Sequence, residues 1–326
     1  MNKDVKKYLE DTSLMKHLPY FNDTPTLNSE SIIFTNKIVS GVRVIEVDGA
    51  DYYLKEAYDK ESRIVDIASS DMYNAIGIDT PHLHLLTDKD RRIIKKNKDY
   101  KLYTITKDLL NIPGYDCVLA ADILNEIIAN YKSSNYNMPL EYKWFILKDE
   151  ELKNKFLSVM TKKCLDDIIN LFLLDELRMD IDRHYFNYIL YKKYGTNKYQ
   201  GVIPFDLEQV VPFVLMGDEI LSMDRKNNYN FLINYFRYNT QTPIQYVDED
   251  LTYVERISSI MELLQFGDLN PKAINLLRKE IAFDFPDKIK EICQNPYLKQ
   301  YEWKLYDVYA RLWDYNRKTL GKEIGM

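Results

Sequence analysis

The hydrophobic period of this chain changes once, near residue 107, and that change constrains the fold more than any other feature. Before it, the sequence runs in short β-type stretches around a single helical one; after it, helical spacing dominates, interrupted by one two-stranded excursion. Residues 31–35, 42–47 and 51–57 are rich in β-branched and aromatic side chains, with a further short run at 39–41. Asp48 and Gly49 lie between two of these runs, and an Asp-Gly pair in that setting predicts a tight hairpin. Over residues 61–76, Ile64, Ile67, Ala68, Met72, Ala75 and Ile76 recur at i, i+3/i+4 spacing, and Gly77 with Pro81 beyond marks a stop. Residues 81–86 and 100–106 read as two more antiparallel strands, joined by a basic hairpin tip. The expectation is a five-stranded sheet with one helix, complete by about residue 106.

Past residue 107, apolar stripes predict helices over 116–131, 150–160, 165–177, 252–266, 271–282, 286–293 and 301–319. Asn270 and Pro271 suit the N-cap and first position of one of them. In the last, Trp303, Tyr306, Ala310 and Trp313 form an aromatic stripe that reads as core packing. A second hairpin spans 188–205, closed by a turn containing Gly195. The class expected is therefore α+β: a small antiparallel sheet plus one helix over residues 1–108, including a short N-terminal extension, then a larger helical lobe over 109–326.

Composition excludes several functions. The 326-residue chain has a net charge of −6, so it has no whole-chain electrostatic footprint for nucleic acid or an anionic membrane. Nowhere do eighteen apolar residues run together, and the N-terminus is charged from its third residue, so neither a membrane span nor a secretory leader is expected. Cys117, Cys164 and Cys293 are far apart, without a C-x-x-C element or an even-numbered disulfide framework. A reducing, cytoplasmic setting fits this usage. His82 and His84 would share one face of a strand, but no third metal ligand accompanies them.

The chemistry-bearing residues concentrate on the second hairpin. Asp182, Arg183, His184 and Asn187 stand in the order D-R-H-x-x-N, and the strand-like run from Gly201 ends on Asp206. Two acids and an amide on adjacent short strands meet the needs of a magnesium-nucleotide site: oxygen ligands for a hard cation and a carboxylate for an acceptor hydroxyl. In the first sheet, Lys55 could hold nucleotide phosphates if an acid on the following helix fixed its ammonium; Asp66 is the first choice and Glu61 the alternative.

These residues resemble the catalytic loop of the HipA-like bacterial kinases and the phosphoinositide lipid kinases, in which Arg and His follow the Asp. The run from Met72 through Gly77 to Pro81 is similar to the corresponding helix end of HipA-like proteins. The resemblance covers roughly residues 38–210 and implies a bilobal protein-kinase-like fold, with ATP and Mg²⁺ as cofactors. It further implies Asp182 as base, Asn187 and Asp206 as metal ligands, Lys55 on the phosphates and Asp66 holding Lys55. Arg183 and His184 would support the loop, Ser40 and Gly41 would form the phosphate loop, and the segment from Thr104 through Lys107 to Asp108 would read the adenine. Phe205-Asp206-Leu207 lacks the glycine that usually follows the metal-binding Asp, and Gly41 is the single glycine of the phosphate loop. The function expected is a HipA-like Ser/Thr protein kinase acting on a protein substrate, with an antitoxin-like regulatory partner conceivable. The alternatives are a pseudokinase kept as a binding or regulatory module, or the same fold phosphorylating a lipid or small molecule or transferring AMP.

Overall fold

Strands β1 (Ile32–Val39), β2 (Val42–Val47) and β3 (Ala50–Glu56) form an antiparallel meander. Its second turn is made by Asp48 and Gly49 at φ 51° and 80°, the left-handed pair whose twist matches that of the flanking strands. Strands β4 (His84–Leu85) and β5 (Tyr103–Lys107) complete a five-stranded antiparallel sheet in the order β1-β2-β3-β5-β4. The computed structural model describes residues 18, 32–39, 42–56, 60–85, 103–131, 150–178, 187–207, 260–261, 264, 269 and 271–326. Ser40, Gly41, the basic tip, the loop bearing Asp182, Arg183 and His184, Asn270, and most of the helix expected at 252–266 lie outside these residues.

Period-2 alternation sorts the sheet's faces. Ile45, Val47, Tyr52, Leu54 and Ile105 are buried on one side. Lys55 lies directly across from Thr104, and Tyr53 from Thr106, so these four share the other side. Helix α1 (Lys60–Ile76) follows β3 and ends where the N–H groups of Gly77 and Ile78 donate to the carbonyls of Asn74 (3.1 Å) and Tyr73 (2.8 Å), the paired bonds of a Schellman cap.

The sequence reading needs one correction beyond β5. Residues 115–119 are strand β6 (Tyr115–Leu119), not the start of a helix; α2 (Ala120–Tyr131) follows without a break. Strand β6 pairs with β7 (Tyr188–Lys193), which pairs with β8 (Gly201–Pro204), so the predicted hairpin belongs to a three-stranded antiparallel sheet. The apolar run from Cys117 to Ala121 satisfies either period over so few residues, and pairing with a strand some seventy positions away decides it.

The remaining helices are α3 (Glu150–Val159), α4 (Lys162–Arg178), α5 (Pro271–Ala282), α6 (Phe285–Ile292) and α7 (Glu302–Asn316). One large core joins α1, through Ile64, Val65, Met72 and Tyr73, to Leu171 and Leu174 of α4 and to Leu277, Phe285, Tyr309 and Trp313 of α5–α7. Phe285 stacks on Trp313 with centroids 4.7 Å apart. Trp313 is thus core, as the aromatic stripe predicts, whereas Trp303 and Tyr306 sit half-buried at the rim. Because α1 packs into the helical layer, the helix that follows Lys55 is fixed relative to the second sheet.

Candidate functional site

The site is assembled at the C-terminal end of β8, where the chain leaves the ladder. The backbone of Asp206 lies in the left-handed region, at φ 57°. For a non-glycine residue this costs roughly 1–3 kcal/mol and persists where the surroundings over-determine it. Here three residues around it are pinned. The Pro204 carbonyl accepts from Thr80 Oγ1 at 2.8 Å. The Phe205 N–H donates to the Asn187 carbonyl at 3.1 Å, and the Leu207 N–H donates to Asp66 Oδ1 at 3.0 Å. Asp206 is therefore presented by anchors from the segment after α1, from the start of β7, and from α1 itself.

Asp206 meets Lys55 there. The ammonium of Lys55 donates to Asp206 Oδ1 in an ion pair whose side chains are each about one-third exposed, 31% and 33%. Residues 151 apart in sequence, one on β3 and the other just past β8, are thus brought into contact. Asn187 is buried and linked by its backbone to the residue before Asp206. The two residues expected to bind metal consequently flank one hairpin, Asn187 just before β7 and Asp206 just past β8, at the same end.

Asp66 is almost fully buried in α1. Its Oδ2 accepts from Arg63 Nη1 at 2.6 Å, and its Oδ1 from the Leu207 N–H. Burial pushes its carboxyl above the ordinary range, opposed by the positive charges of Arg63 and Lys55. Lys55 is thus close enough for its charge to act on Asp66, while the bonds Asp66 makes tie the α1 helix to the backbone after Asp206. Glu61 lies in the first turn of α1 and is half-buried.

Beside the Lys55–Asp206 pair opens a cavity of about 270 Å³, lined by Lys55, Asp66, Ser70, Thr80, Thr106 and Asp206 together with apolar and aromatic side chains that include Val42, Tyr53, Leu83, Leu109 and Phe205. Its composition, mostly apolar with a few convergent polar groups, is that of a small-molecule site. Of the residues expected to read a base, Thr104 is buried in mid-strand opposite Lys55, and Lys107 lies on the sheet face away from Thr106; neither lines the cavity, whereas Thr106 does. The connection between the two sheets begins at Asp108, whose carboxylate accepts from the Tyr53 hydroxyl at 3.0 Å, from the Leu110 N–H at 2.9 Å and from Asn111 Nδ2.

Tyr53 and Thr80 are residues at the site that sequence reasoning missed. Tyr53 had a legible signal: it stands two residues before Lys55 in a strand, and so on the same face. Thr80 had none, because its hydroxyl bonds a carbonyl that folding brings near from residue 204. His82 is half-buried with Nδ1 3.4 Å from Asn74 Nδ2, outside this cavity's lining.

No protein-family model matches the chain, and no curated protein matches it in sequence. Among solved structures, the fold is similar to that of a Helicobacter pylori proinflammatory kinase, CtkA, with a TM-score of 0.55 at 15% identity over 88% of this chain and 94% of that one. A chain of the Shewanella oneidensis MR-1 toxin–antitoxin complex of HipA, HipB and operator DNA aligns with a TM-score of 0.46 at 13% identity, over 98% of this chain and 71% of that one. The first likeness establishes the fold class: mixed α+β, kinase-like. Among the described residues no helix is long and apolar enough to cross a membrane.

Proposed function

We propose that the chain is an ATP- and Mg²⁺-dependent phosphotransferase, a Ser/Thr protein kinase of the HipA-like kind, with its two lobes meeting near residues 108 and 109. The observation that carries this reading is the meeting of Lys55 with Asp206 on the wall of a mostly apolar cavity. The likeness to CtkA, a kinase, supports it at the level of fold.

The residues fit the groups the reading requires. A mostly apolar cavity with the flat ring of Tyr53 on its wall suits a purine, and Leu109 and Leu110 of the segment after Asp108 line the same cavity. Lys55, a compact point charge on β3, would hold the anionic phosphates beside Asp206. Asn187 and Asp206 offer oxygen donors, the ligand type that Mg²⁺ takes. When bound, the metal would neutralise charge on the phosphates, leaving the protein to position rather than react. Asp182 would accept the proton of the acceptor hydroxyl, and Arg183 and His184 would support its loop. Pinning Asp206 on three sides means that little reorganisation is needed as nucleotide enters.

The test is phosphate transfer from γ-labelled ATP by purified protein with Mg²⁺, to itself or to lysate proteins, compared with Asp182→Ala and Asp206→Ala. Transfer by wild type, lost in both variants with melting temperatures nearly unchanged, is expected. Label incorporated from α-labelled but not γ-labelled ATP would replace kinase activity with AMP transfer. Nucleotide binding without turnover on protein, lipid or small-molecule acceptors would make the chain a pseudokinase. Absence of any Mg²⁺·ATP thermal shift would overturn the reading.

A further inference from the structure

Behind the site lies a buried polar network that the proposed chemistry does not use. Asp175, on α4 and fully buried, has both carboxylate oxygens occupied. Its Oδ1 accepts from the Tyr73 hydroxyl at 2.8 Å and from Arg178 Nη2 at 2.7 Å; its Oδ2 accepts from the Tyr188 hydroxyl at 2.7 Å. Arg178 is itself buried, lies over the Tyr73 ring with 4.7 Å between guanidinium carbon and centroid, and has Glu280 of α5 4.0 Å from its Nε. All of this sits inside the large apolar core, where an ionised carboxylate persists only if paired and hydrogen-bonded.

The placement of the two tyrosines gives the network a purpose. Tyr188 immediately follows Asn187, and Tyr73 is on α1, two helical turns beyond Asp66 on the same helix face. On the other ligand strand, Asp66 binds the backbone of Leu207, which immediately follows Asp206. Each expected metal ligand is thus succeeded by a residue tied to a buried carboxylate, one carried by α1 and the other bonded to it. Helix α1 sets the separation of the two strands' ends at both points.

We propose that Asp175 is a positioning residue of the site: through the Tyr188 hydroxyl it fixes the start of β7, and with it Asn187, and through the Tyr73 hydroxyl it registers Asn187 against the helix that holds Asp206. The proposal rests on the reading of Asn187 and Asp206 as metal ligands. The Tyr188 and Tyr73 hydroxyls reach different oxygens of one carboxylate, so their contributions are coupled rather than independent.

The experiment measures Mn²⁺ binding by electron paramagnetic resonance in the presence of a non-hydrolysable ATP analogue, for wild type, Tyr188→Phe, Tyr73→Phe and the double variant. Each Phe keeps the packed ring and removes one hydrogen bond to a charged group, so Mn²⁺ affinity is expected to fall about fivefold or more in each. Metal-free affinity for the analogue is expected to stay within about twofold, and the double variant to lose less than the product of the single losses. Asp175→Asn, read alongside, is expected to show the same selective loss if it folds; the Phe variants decide the matter if it does not. Unchanged Mn²⁺ affinity in Tyr188→Phe, with only a lowered melting temperature, would overturn the proposal and leave the kinase reading standing. A wild type that binds analogue but no Mn²⁺ would remove the metal ligands and this inference together.

Discussion

Replacing Asp66 by Asn should destabilise the protein through Arg63 rather than through Lys55. Arg63 is 1% exposed and Asp66 3%, with 2.6 Å between their paired atoms. Asn still offers an oxygen to the Leu207 N–H but takes away the carboxylate charge that faces the buried guanidinium, a loss of roughly 3–5 kcal/mol. Burial already drives the Asp66 carboxyl above its usual range against the pull of Arg63 and Lys55, so the lower end of that span applies. At about 2 cal/mol/K of unfolding entropy per residue, a chain of this length would melt ~4–5 °C lower. Arg63→Met with Asp66→Asn removes both charges while keeping the acceptor for Leu207, and should recover to within about 1 kcal/mol of wild type. Arg63→Met with Asp66→Leu removes the acceptor too, strands the Leu207 N–H, and should fall ~1–3 kcal/mol below the Met/Asn pair. Urea unfolding of the four proteins, read by tryptophan fluorescence, separates these terms. If Asp66→Asn costs under about 1 kcal/mol, or if the Met/Asn variant is no more stable than Asp66→Asn alone, the ion-pair argument is wrong.

Two further outcomes follow from the packing. Asp167 is fully buried beside Lys163, 2.6 Å away, and burial outweighs that pairing to push its carboxyl up to about 6 from an ordinary 3.8. A carboxyl raised on folding favours the folded state below the unfolded pKa and loses that advantage as pH rises through the folded one. Asp167→Asn should therefore gain on wild type by about 3 kcal/mol between pH ~3 and ~7 in unfolding titrations; a constant difference across that range would refute it. At Gly201, a Cβ would run into the ring of Tyr191, its ladder partner. Gly201→Ala should lose ~1–3 kcal/mol by overpacking, with stability restored by adding Tyr191→Leu; an Ala variant as stable as wild type by thermal unfolding would contradict the close approach.

What the sequence disclosed, and what it withheld, follows from the range of the interactions. The Asp48 and Gly49 turn, helix α1 and the β7–β8 hairpin depend on residues near one another, and their signals were legible. Lys55 and Asp206 were also legible, because each is a charged residue at the end or on the open face of a short apolar strand. Strand β6 was misread because its five residues carry no period of their own and merge into α2. Tyr53 looked like one more aromatic in a β-type run until the cavity gave its face a meaning. Thr80 is a polar residue whose partner, the Pro204 carbonyl, arrives from elsewhere in the fold, and nothing local marks it.

Asp66 and Asp175 make the same point from opposite sides of the site. Both are acids on the core-facing side of a helix, where periodicity alone would place an apolar residue. An ionised group in that position costs several kcal/mol unless its oxygens are filled, and here the partners that fill them are the residues next to Asp206 and Asn187. The burial that makes each carboxylate expensive also makes its bonds directional and hard to exchange with water. Two such acids, both referred to α1, can hold two strand ends in register more firmly than apolar packing, which tolerates sliding. An acid interrupting a helix's apolar stripe is then a signal that sequence does carry, and reading it needs only the question of which buried donor it must satisfy.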